Sequence, residues 1–215
     1  MMDKIRVMCY GDSNTWGYIS GSDHERYGEN ERWPKVLESL LGDKFEVIEE
    51  GLNSRTLISD DPRPGKEGKN GLEYLIPCLD SHDPLDLVVI MLGSNELKPI
   101  YNRTAEDIGK LFEEYFVKTI LYRKSQFKEA GPKLIIVCPP LVNEHASLGV
   151  EPEKYMGAGR KSEQFDEIYK QIASKYNCPF VPTNDLETGP DGLHLTLESH
   201  KKLAQRIKDE VVKLF

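Results

Sequence analysis

The chain has 215 residues, of which 39% are hydrophobic and 30% charged, and its formal net charge is −8. These proportions are typical of a globular protein and exclude a disordered chain, and no apolar run approaches the roughly 20 residues of a membrane-spanning helix. Because phosphate binding needs clustered Lys and Arg, the acidity also argues against nucleic acid or an anionic membrane as a partner.

The first residues run directly into an apolar stretch without a hydrophobic signal core, so we expect a cytoplasmic protein. Four cysteines are spread along the chain with no Cys-x-x-Cys pair: Cys9, Cys78, Cys138 and Cys178. This pattern favours reduced thiols over disulfides or metal ligands. The histidines show no metal-ligand spacing either, so the sequence predicts neither a metal nor another cofactor.

Apolar runs predict five strands that alternate with amphipathic helices along the chain. The predicted strands cover residues 5–10, 44–50, 85–92, 133–138 and 179–182. The predicted helices cover residues 32–41, 70–79, 104–120, 161–176 and 197–215. Such alternation is typical of an α/β protein in which helices cover both faces of a parallel sheet, giving three layers. Because no linker or repeat interrupts the pattern, we expect a single domain over residues 1–215.

Polar residues follow four of the predicted strands where each strand ends. Ser13 follows the first strand, Gly51 the second and Asn95 the third, while Asp191 and His194 follow the last. Parallel strands share one carboxyl edge, and open α/β sheets bind their ligands in the crevice there. The sequence therefore predicts that these residues meet at one site.

The residue types at this edge suit acyl transfer. Ser13 is the candidate nucleophile and His194 the candidate base, because an alcohol needs a group that takes its proton near neutral pH. Asp191 lies three residues before His194 and could orient the imidazole. Asp185 is a rival acid, although a turn or cap suits it better, and Asp12 more plausibly braces the Ser13 turn.

An oxyanion needs hydrogen-bond donors, and the same edge offers three. They are predicted to be the backbone N–H of Ser13, the backbone N–H of Gly51 and the side-chain amide of Asn95. Trp16 and Tyr18 are candidates for lining a substrate pocket, and a role in the core or in an interface suits them equally well. For Arg55 we expect a structural role. We interpret the remaining histidines as surface residues; they are His24, His82, His145 and His200.

The motifs resemble the four sequence blocks of the SGNH hydrolases, also called GDSL esterases. The blocks are Gly11-Asp12-Ser13, Gly51, Gly93-Ser94-Asn95 and Asp191-Gly192-Leu193-His194. The flanking residues are most similar to the bacterial arylesterase/acyltransferase branch. The resemblance implies a flavodoxin-like strand order 2-1-3-4-5, a metal-free Ser-His-Asp triad and hydrolysis of small acetyl, aryl or alkyl esters. It also implies acyl transfer as an alternative reaction and a homo-oligomer.

One residue departs from the family pattern. Glu96 stands where the family usually has Asp after the third-block asparagine, which puts the bracing of that turn in question. Carbohydrate O-acetyl esters are an alternative substrate class. A non-catalytic binding module on the same fold is a further alternative, although it would be expected to have lost part of the set.

Overall fold

A computed structural model describes residues 4–146 and 154–215 of the chain. Its sheet has five strands, all parallel, in the order β2-β1-β3-β4-β5, which confirms the order that the family resemblance implies. The strands are β1 (Ile5–Gly11), β2 (Phe45–Gly51), β3 (Leu87–Met91), β4 (Lys133–Val137) and β5 (Phe180–Val181). Gly11 pairs with both Gly51 and Met91, so the first three strands end at the same level.

Helices surround this sheet, and most lie where the apolar periodicity predicts them. They are α1 (Ser13–Trp16), α2 (Trp33–Leu41), α3 (Gly71–Ser81), α4 (Ala105–Phe112), α5 (Lys118–Tyr122), α6 (Ala158–Ser162), α7 (Phe165–Lys175) and α8 (Leu197–Leu214). A 3₁₀ helix, Ser94–Leu97, follows β3. Within the described part of the chain, no helix is both long and apolar enough to cross a membrane.

Two hydrophobic clusters separate the layers. Successive residues of a strand point to opposite faces, and β1 divides in this way: Val7 and Cys9 pack with α2 and α8, whereas Met8 and Tyr10 pack with α3, α4 and α7. The sheet is therefore covered on both faces, which confirms the three-layer α/β/α architecture.

Local sequence signals mark several of the helix ends. Pro34 lies in the first turn of α2 and Gly42 ends that helix. Thr104 and Asp107 form the capping box of α4 through their side chains and backbone N–H groups. Pro77 stays inside α3, which nevertheless continues to Ser81.

Three stretches differ from the prediction. The turn that presents Ser13 is a short helix, α1, because the side chain of Asp12 caps it. The long predicted helix 104–120 is α4 and α5 joined by a π-helical turn, Glu113–Val117. The predicted helix 161–176 is two helices, α6 and α7. The polar segment between the predicted strand 133–138 and the predicted helix 161–176 includes residues 147–153, which lie outside the described residues.

Candidate active site

Ser13, His194 and Asp191 form one continuous chain of hydrogen bonds. The Oγ atom of Ser13 lies 2.8 Å from Nε2 of His194, and Nδ1 of His194 lies 2.7 Å from Oδ2 of Asp191. Because a carboxylate only accepts hydrogen bonds, Nδ1 carries a proton and Nε2 is left to accept the Ser13 hydroxyl. This arrangement lets the imidazole take a proton from the hydroxyl.

The Asp191 carboxylate is held by its own loop. Its Oδ1 atom accepts the backbone N–H groups of Leu193 at 2.9 Å and His194 at 3.0 Å. Burial opposes the charged form, but the hydrogen bond and charge of His194, with these two N–H groups, keep the pKa of Asp191 well below its usual value. Asp191 is therefore an anion at neutral pH and can stabilise an imidazolium.

The backbone around Ser13 is packed too closely for larger residues. A Cβ at Gly11 would lie 2.1 Å from Oγ1 of Thr15 and 2.6 Å from the carbonyl oxygen of Met91. The buried carboxylate of Asp12 accepts the N–H of Asn14 at 3.0 Å, as predicted for a bracing role. Burial raises the pKa of Asp12 to about 6.

Asn14 joins the two distant segments of this site, a role that the sequence analysis missed. Its Oδ1 accepts the N–H of Leu195 at 2.9 Å, and its Nδ2 donates to the carbonyl of Leu193 at 3.2 Å. These bonds flank His194 on both sides. Asn14 therefore sets the position of the imidazole relative to Ser13, and only its place directly after the serine could have hinted at this.

The side-chain amide of Asn95 is also fixed. Nδ2 donates to the carbonyl of Arg55 at 3.0 Å, and Oδ1 accepts the hydroxyl of the buried Tyr155 at 3.1 Å. The second N–H of this amide remains for the cavity that Asn95 lines. Arg55 in turn donates to the carbonyls of Gly11 and Glu50 and lies over the ring of Tyr10, so its role is structural, as predicted.

Glu96 joins two of the turns at the sheet edge. Its fully buried carboxylate accepts the N–H groups of Leu57 at 2.7 Å and Ile58 at 3.1 Å, and the hydroxyl of Ser59 at 3.1 Å. Arg103 forms an ion pair with the same carboxylate. Glu96, the residue that departs from the family pattern, therefore connects the turn that carries Asn95 to the segment after β2.

Gly51, a predicted oxyanion donor, is not among the residues that line the cavity next to Ser13. A Cβ at Gly51 would lie 2.2 Å from the backbone nitrogen of Trp16, so the glycine allows the chain segments to pack. Asn53 and Ser54, later in the same turn, line the cavity instead. Ser54 has a φ of 66°, and within residues 4–146 and 154–215 its backbone N–H donates to no acceptor.

A cavity of about 480 Å³ adjoins these groups. We call Ser13, Tyr18, Asp191 and His194 the nucleophile cluster. We call Asn53, Ser54, Asn95 and Tyr155 the amide cluster. The other lining residues are Gly21, Ser22, His24, Lys66, Lys98, Lys154 and Leu193.

Comparisons with known proteins show which family the chain belongs to. The family model described as the GDSL-like lipase/acylhydrolase family matches residues 9–202. The chain belongs to this family. A carbohydrate acetylesterase from Sinorhizobium meliloti has 34% identity and a TM-score of 0.88, with 99% of this chain and 100% of that chain covered. The aryl esterase of M. smegmatis has 35% identity and a TM-score of 0.87, with coverages of 98% and 99%.

A more distant relative is longer. The acetylxylan esterase of Xylanibacter ruminicola is 26% identical over 223 residues, which cover 95% of this chain and 42% of that protein. The chain thus spans about two fifths of the length of this curated relative.

Of the two aromatic residues predicted to line a substrate pocket, Tyr18 lines the cavity next to Ser13. The ring of Tyr18 lies over the imidazole of His194, with 4.4 Å between ring centroids and 31° between planes. The Tyr18 hydroxyl donates to the carbonyl of Ser22 at 3.0 Å. Trp16 does not line the cavity; the guanidinium of Arg26 lies over its ring at 5.1 Å.

Of the remaining histidines, His200 differs from its interpretation as a surface residue, whereas His24 is exposed as interpreted. His200 is fully buried, and Nδ1 accepts the N–H of Trp33 at 3.3 Å. Burial lowers the pKa of His200 to about 3, so its imidazole is neutral. His24 is exposed but lines the cavity beside Tyr18. His145 lines a different groove.

Asp185, the rival to Asp191, is remote from these contacts. Its carboxylate accepts two hydrogen bonds from the guanidinium of Arg206, at 2.6 and 2.7 Å, and its side chain is 63% exposed. This ion pair lowers the pKa of Asp185. The position favours a surface ion pair rather than catalysis.

Within the described residues, one group of side chains has its potential ligand atoms close enough together to hold a metal ion. The group consists of Glu50, Cys78 and His82. The spacing of the sequence did not indicate it, because Glu50 lies on β2 and the others belong to α3 and its end. Glu50 Oε1 already lies 2.8 Å from Nε2 of His82. Burial raises the pKa of Cys78 to about 12, which disfavours the thiolate that would bind a metal.

Proposed function

We propose that the chain is a serine esterase that hydrolyses small carboxylic esters through an acyl-enzyme on Ser13. The observation that carries this proposal is the unbroken Ser13–His194–Asp191 hydrogen-bond chain at the edge of an accessible cavity. Family membership supports the reaction class. No step calls for a metal or another cofactor.

In the first half-reaction, the Ser13 oxygen attacks the ester carbonyl carbon while Nε2 of His194 takes the hydroxyl proton. The carbonyl π electrons move to oxygen and give a tetrahedral oxyanion. The bond to the alcohol then breaks, and His194 returns its proton to the departing alcohol oxygen. Asp191 holds the tautomer and stabilises the imidazolium during both transfers.

In the second half-reaction, water repeats this sequence on the acyl-enzyme. His194 removes a proton from the water as its oxygen attacks, and the bond to the Ser13 oxygen then breaks. The proton returns to Ser13 and the carboxylic acid leaves. The enzyme thus recovers its starting form, and the net change is one ester plus one water to one acid plus one alcohol.

The oxyanion is assigned to three N–H donors. The first two are the backbone N–H of Ser13 and the side-chain amide of Asn95, as the sequence analysis predicts. For the third we assign the backbone N–H of Ser54 in place of Gly51, because Ser54 lines the cavity and its N–H has no other acceptor in the described segments. A structure with a phosphonate bound to Ser13 tests this: its oxygen should lie about 3 Å from the Ser54 nitrogen.

Turnover of p-nitrophenyl acetate tests the proposed function. Wild-type protein should release p-nitrophenol, and Ser13→Ala should reduce the rate by at least about 10⁴-fold. A fluorophosphonate probe should label Ser13 in the wild type and nothing in the variant. Unchanged turnover in Ser13→Ala would end the proposal, and absent labelling would favour a binding module.

Carbohydrate O-acetyl esters are a second candidate substrate class. The related carbohydrate acetylesterase and acetylxylan esterase support it, as does the polar lining of the cavity. Acetate release from an acetylated xylo-oligosaccharide, compared with p-nitrophenyl acetate, separates the two classes. Adding an alcohol to the same assay and measuring the new ester reports acyl transfer.

The wider organisation remains a proposal. We infer a single domain, because the two hydrophobic clusters share the strands of one sheet, and a homo-oligomer, because the family resemblance implies one. Light scattering after size-exclusion chromatography measures the oligomer. A cytoplasmic location is likewise a proposal, and fractionation of the source cells tests it.

A further inference from the structure

Three lysines line the cavity beside Ser13: Lys66, Lys98 and Lys154. Among the described residues of the lining, Asp191 is the only acidic side chain, and it is already bonded to His194. The chain as a whole carries a net charge of −8. The lining of the candidate active site is therefore rich in positive charge, although the chain as a whole is negatively charged.

Lys98 is the most constrained of the three. Its side chain is 3% exposed, and it directly follows the 3₁₀ helix that carries Asn95. Its Nζ lies 3.7 Å from the carboxylate of Asp61 and 5.7 Å from the ring centroid of Tyr155. The ammonium group is thus held at a set place relative to the amide cluster.

Lys98 is not the only cation that the carboxylate of Asp61 contacts. It also accepts hydrogen bonds from the guanidinium of Arg63, one of them 2.7 Å from Nε. One buried carboxylate therefore serves two cations. Burial, Arg63 and the neighbouring lysines lower the pKa of Lys98 to about 8, against the effect of Asp61.

Lys66 approaches the same place from a different segment. Its Nζ lies 3.4 Å from Oγ of Ser54, the turn residue assigned to the oxyanion. A neutral acetyl ester gives no reason to hold two ammonium groups at this position. An ammonium group is, however, a common partner for a carboxylate or phosphate, and charge-assisted hydrogen bonds are stronger than neutral ones.

We propose that the ester substrate carries an anionic group, a carboxylate or a phosphate, which binds between Lys66 and Lys98 while the ester lies at Ser13. This inference rests on the proposed esterase function and deepens it, because it names the chemical class of the substrate. Lys66 and Lys98 are then specificity-determining residues. They take no part in the proton transfers.

Matched acetyl esters test the proposal. We would compare kcat/KM for 4-acetoxyphenylacetate with that for the neutral 4-acetoxyphenylacetamide at low ionic strength, since the methylene group isolates the leaving phenol from the charge. The carboxylate should be preferred by about tenfold or more. The preference should shrink as salt is added, because salt screens partly exposed charges.

Further substrates distinguish the source and place of the charge. 4-Acetoxyphenyl phosphate replaces the carboxylate with a phosphate. The 4-nitrophenyl monoester of adipic acid, compared with 4-nitrophenyl hexanoate, moves the charge to the acyl side. The series with the largest lysine-dependent preference identifies the anion and the side of the ester that carries it.

Lysine variants tie the preference to these side chains. Lys66→Gln and Lys98→Gln should each reduce the ratio of kcat/KM for the anionic ester to that for the neutral ester about tenfold, whereas Lys66→Arg should retain this ratio. Lys170→Gln, an exposed residue of α7, is the matched control and should not change it. Turnover of the neutral ester shows that each variant is folded.

Two failures are distinguishable. If the neutral esters are hydrolysed but no anionic series is preferred by more than about twofold, or if the preference survives in both Gln variants, the anion site is wrong and the esterase function stands. If no ester is hydrolysed, neutral or charged, the proposed function itself is wrong.

Discussion

The nucleophile cluster and the amide cluster meet at one cavity, but different kinds of contact build them. Asp191 and His194 are three residues apart in one loop, and Asp12 caps the helix that Ser13 begins. The amide of Asn95 is instead held by Arg55 and Tyr155, which lie 40 and 60 residues away. Each half of the first cluster is thus organised within a short segment, and Asn14 joins the two halves, whereas the second cluster depends on long-range packing throughout.

This difference explains which site residues could be predicted from the sequence. A short motif specifies residues whose geometry is set by their own neighbours in the chain. The third proposed oxyanion donor depends on which residue of the turn after β2 faces the cavity. The left-handed backbone conformation of Ser54 decides which residue this is. The amide cluster should accordingly be more sensitive to substitutions remote from the reacting atoms.

The largest expected effect is in the nucleophile cluster. Asp191→Asn keeps the shape of the side chain but removes the charge that holds the His194 tautomer, so kcat should fall by about 10³- to 10⁴-fold. Asp185→Asn is the control, because its carboxylate pairs with Arg206, and it should stay within about twofold. Equal losses in the two variants would contradict the assignment of Asp191.

Asn95→Ala removes one oxyanion donor and should lower kcat for p-nitrophenyl acetate by about 10²- to 10³-fold, with a smaller change in KM. Tyr155→Phe leaves the amide present but removes the hydroxyl that orients it, so a loss of about tenfold is expected. Asn30→Ala, on an exposed residue, should have no effect. A Tyr155→Phe variant as active as the wild type would show that the long-range contact does not position Asn95.

Glu96→Gln tests the brace between the turns. The variant leaves Arg103 without its partner and weakens three hydrogen bonds, so the free energy of unfolding should fall by about 2 to 3 kcal/mol in urea denaturation. Glu96→Asp restores the usual family residue but shortens the reach to Leu57 and Ile58. We therefore expect it to be less stable than the wild type, and a more stable Asp variant would refute this account of the departure.

The smallest expected effect is a pH dependence at Asp12. Its pKa is raised from 3.8 to about 6 by burial, so the folded state favours the protonated carboxyl. The resulting stability amounts to about 3 kcal/mol well below the unfolded-state pKa of 3.8 and is lost as the pH rises through 6, so that it falls by about 2 kcal/mol between pH 4 and pH 7. Asp12→Asn should lack this loss, so its free energy of unfolding should rise relative to wild type by that amount between pH 4 and pH 7.

Asp23→Asn, on an exposed loop residue, is the control for this comparison and should follow the wild type at every pH. A difference between Asp12→Asn and wild type that is constant with pH would mean that Asp12 titrates normally.

The sequence by itself determined the layer order and most of the nucleophile cluster. Alternating apolar runs and helix caps are local signals, and the loop spacing of Asp191 and His194 leaves few alternatives. It misplaced His200, whose apolar surroundings come from α2 and Tyr27, because burial depends on packing between distant segments. It also did not indicate Asn14 as a brace, or the groups that Glu96 holds.

Only the tertiary structure decided which groups line the cavity. The proposal of Ser54 rather than Gly51 as an oxyanion donor depends on the backbone conformation of one turn. Lys66 and Lys98, which line the same cavity, come from positions more than 30 residues apart in the sequence. Side chains that are scattered in a sequence acquire a common electrostatic role only when folding places them around one cavity. That is the physical reason why the reaction class followed from motifs while the proposed substrate class rests on the fold.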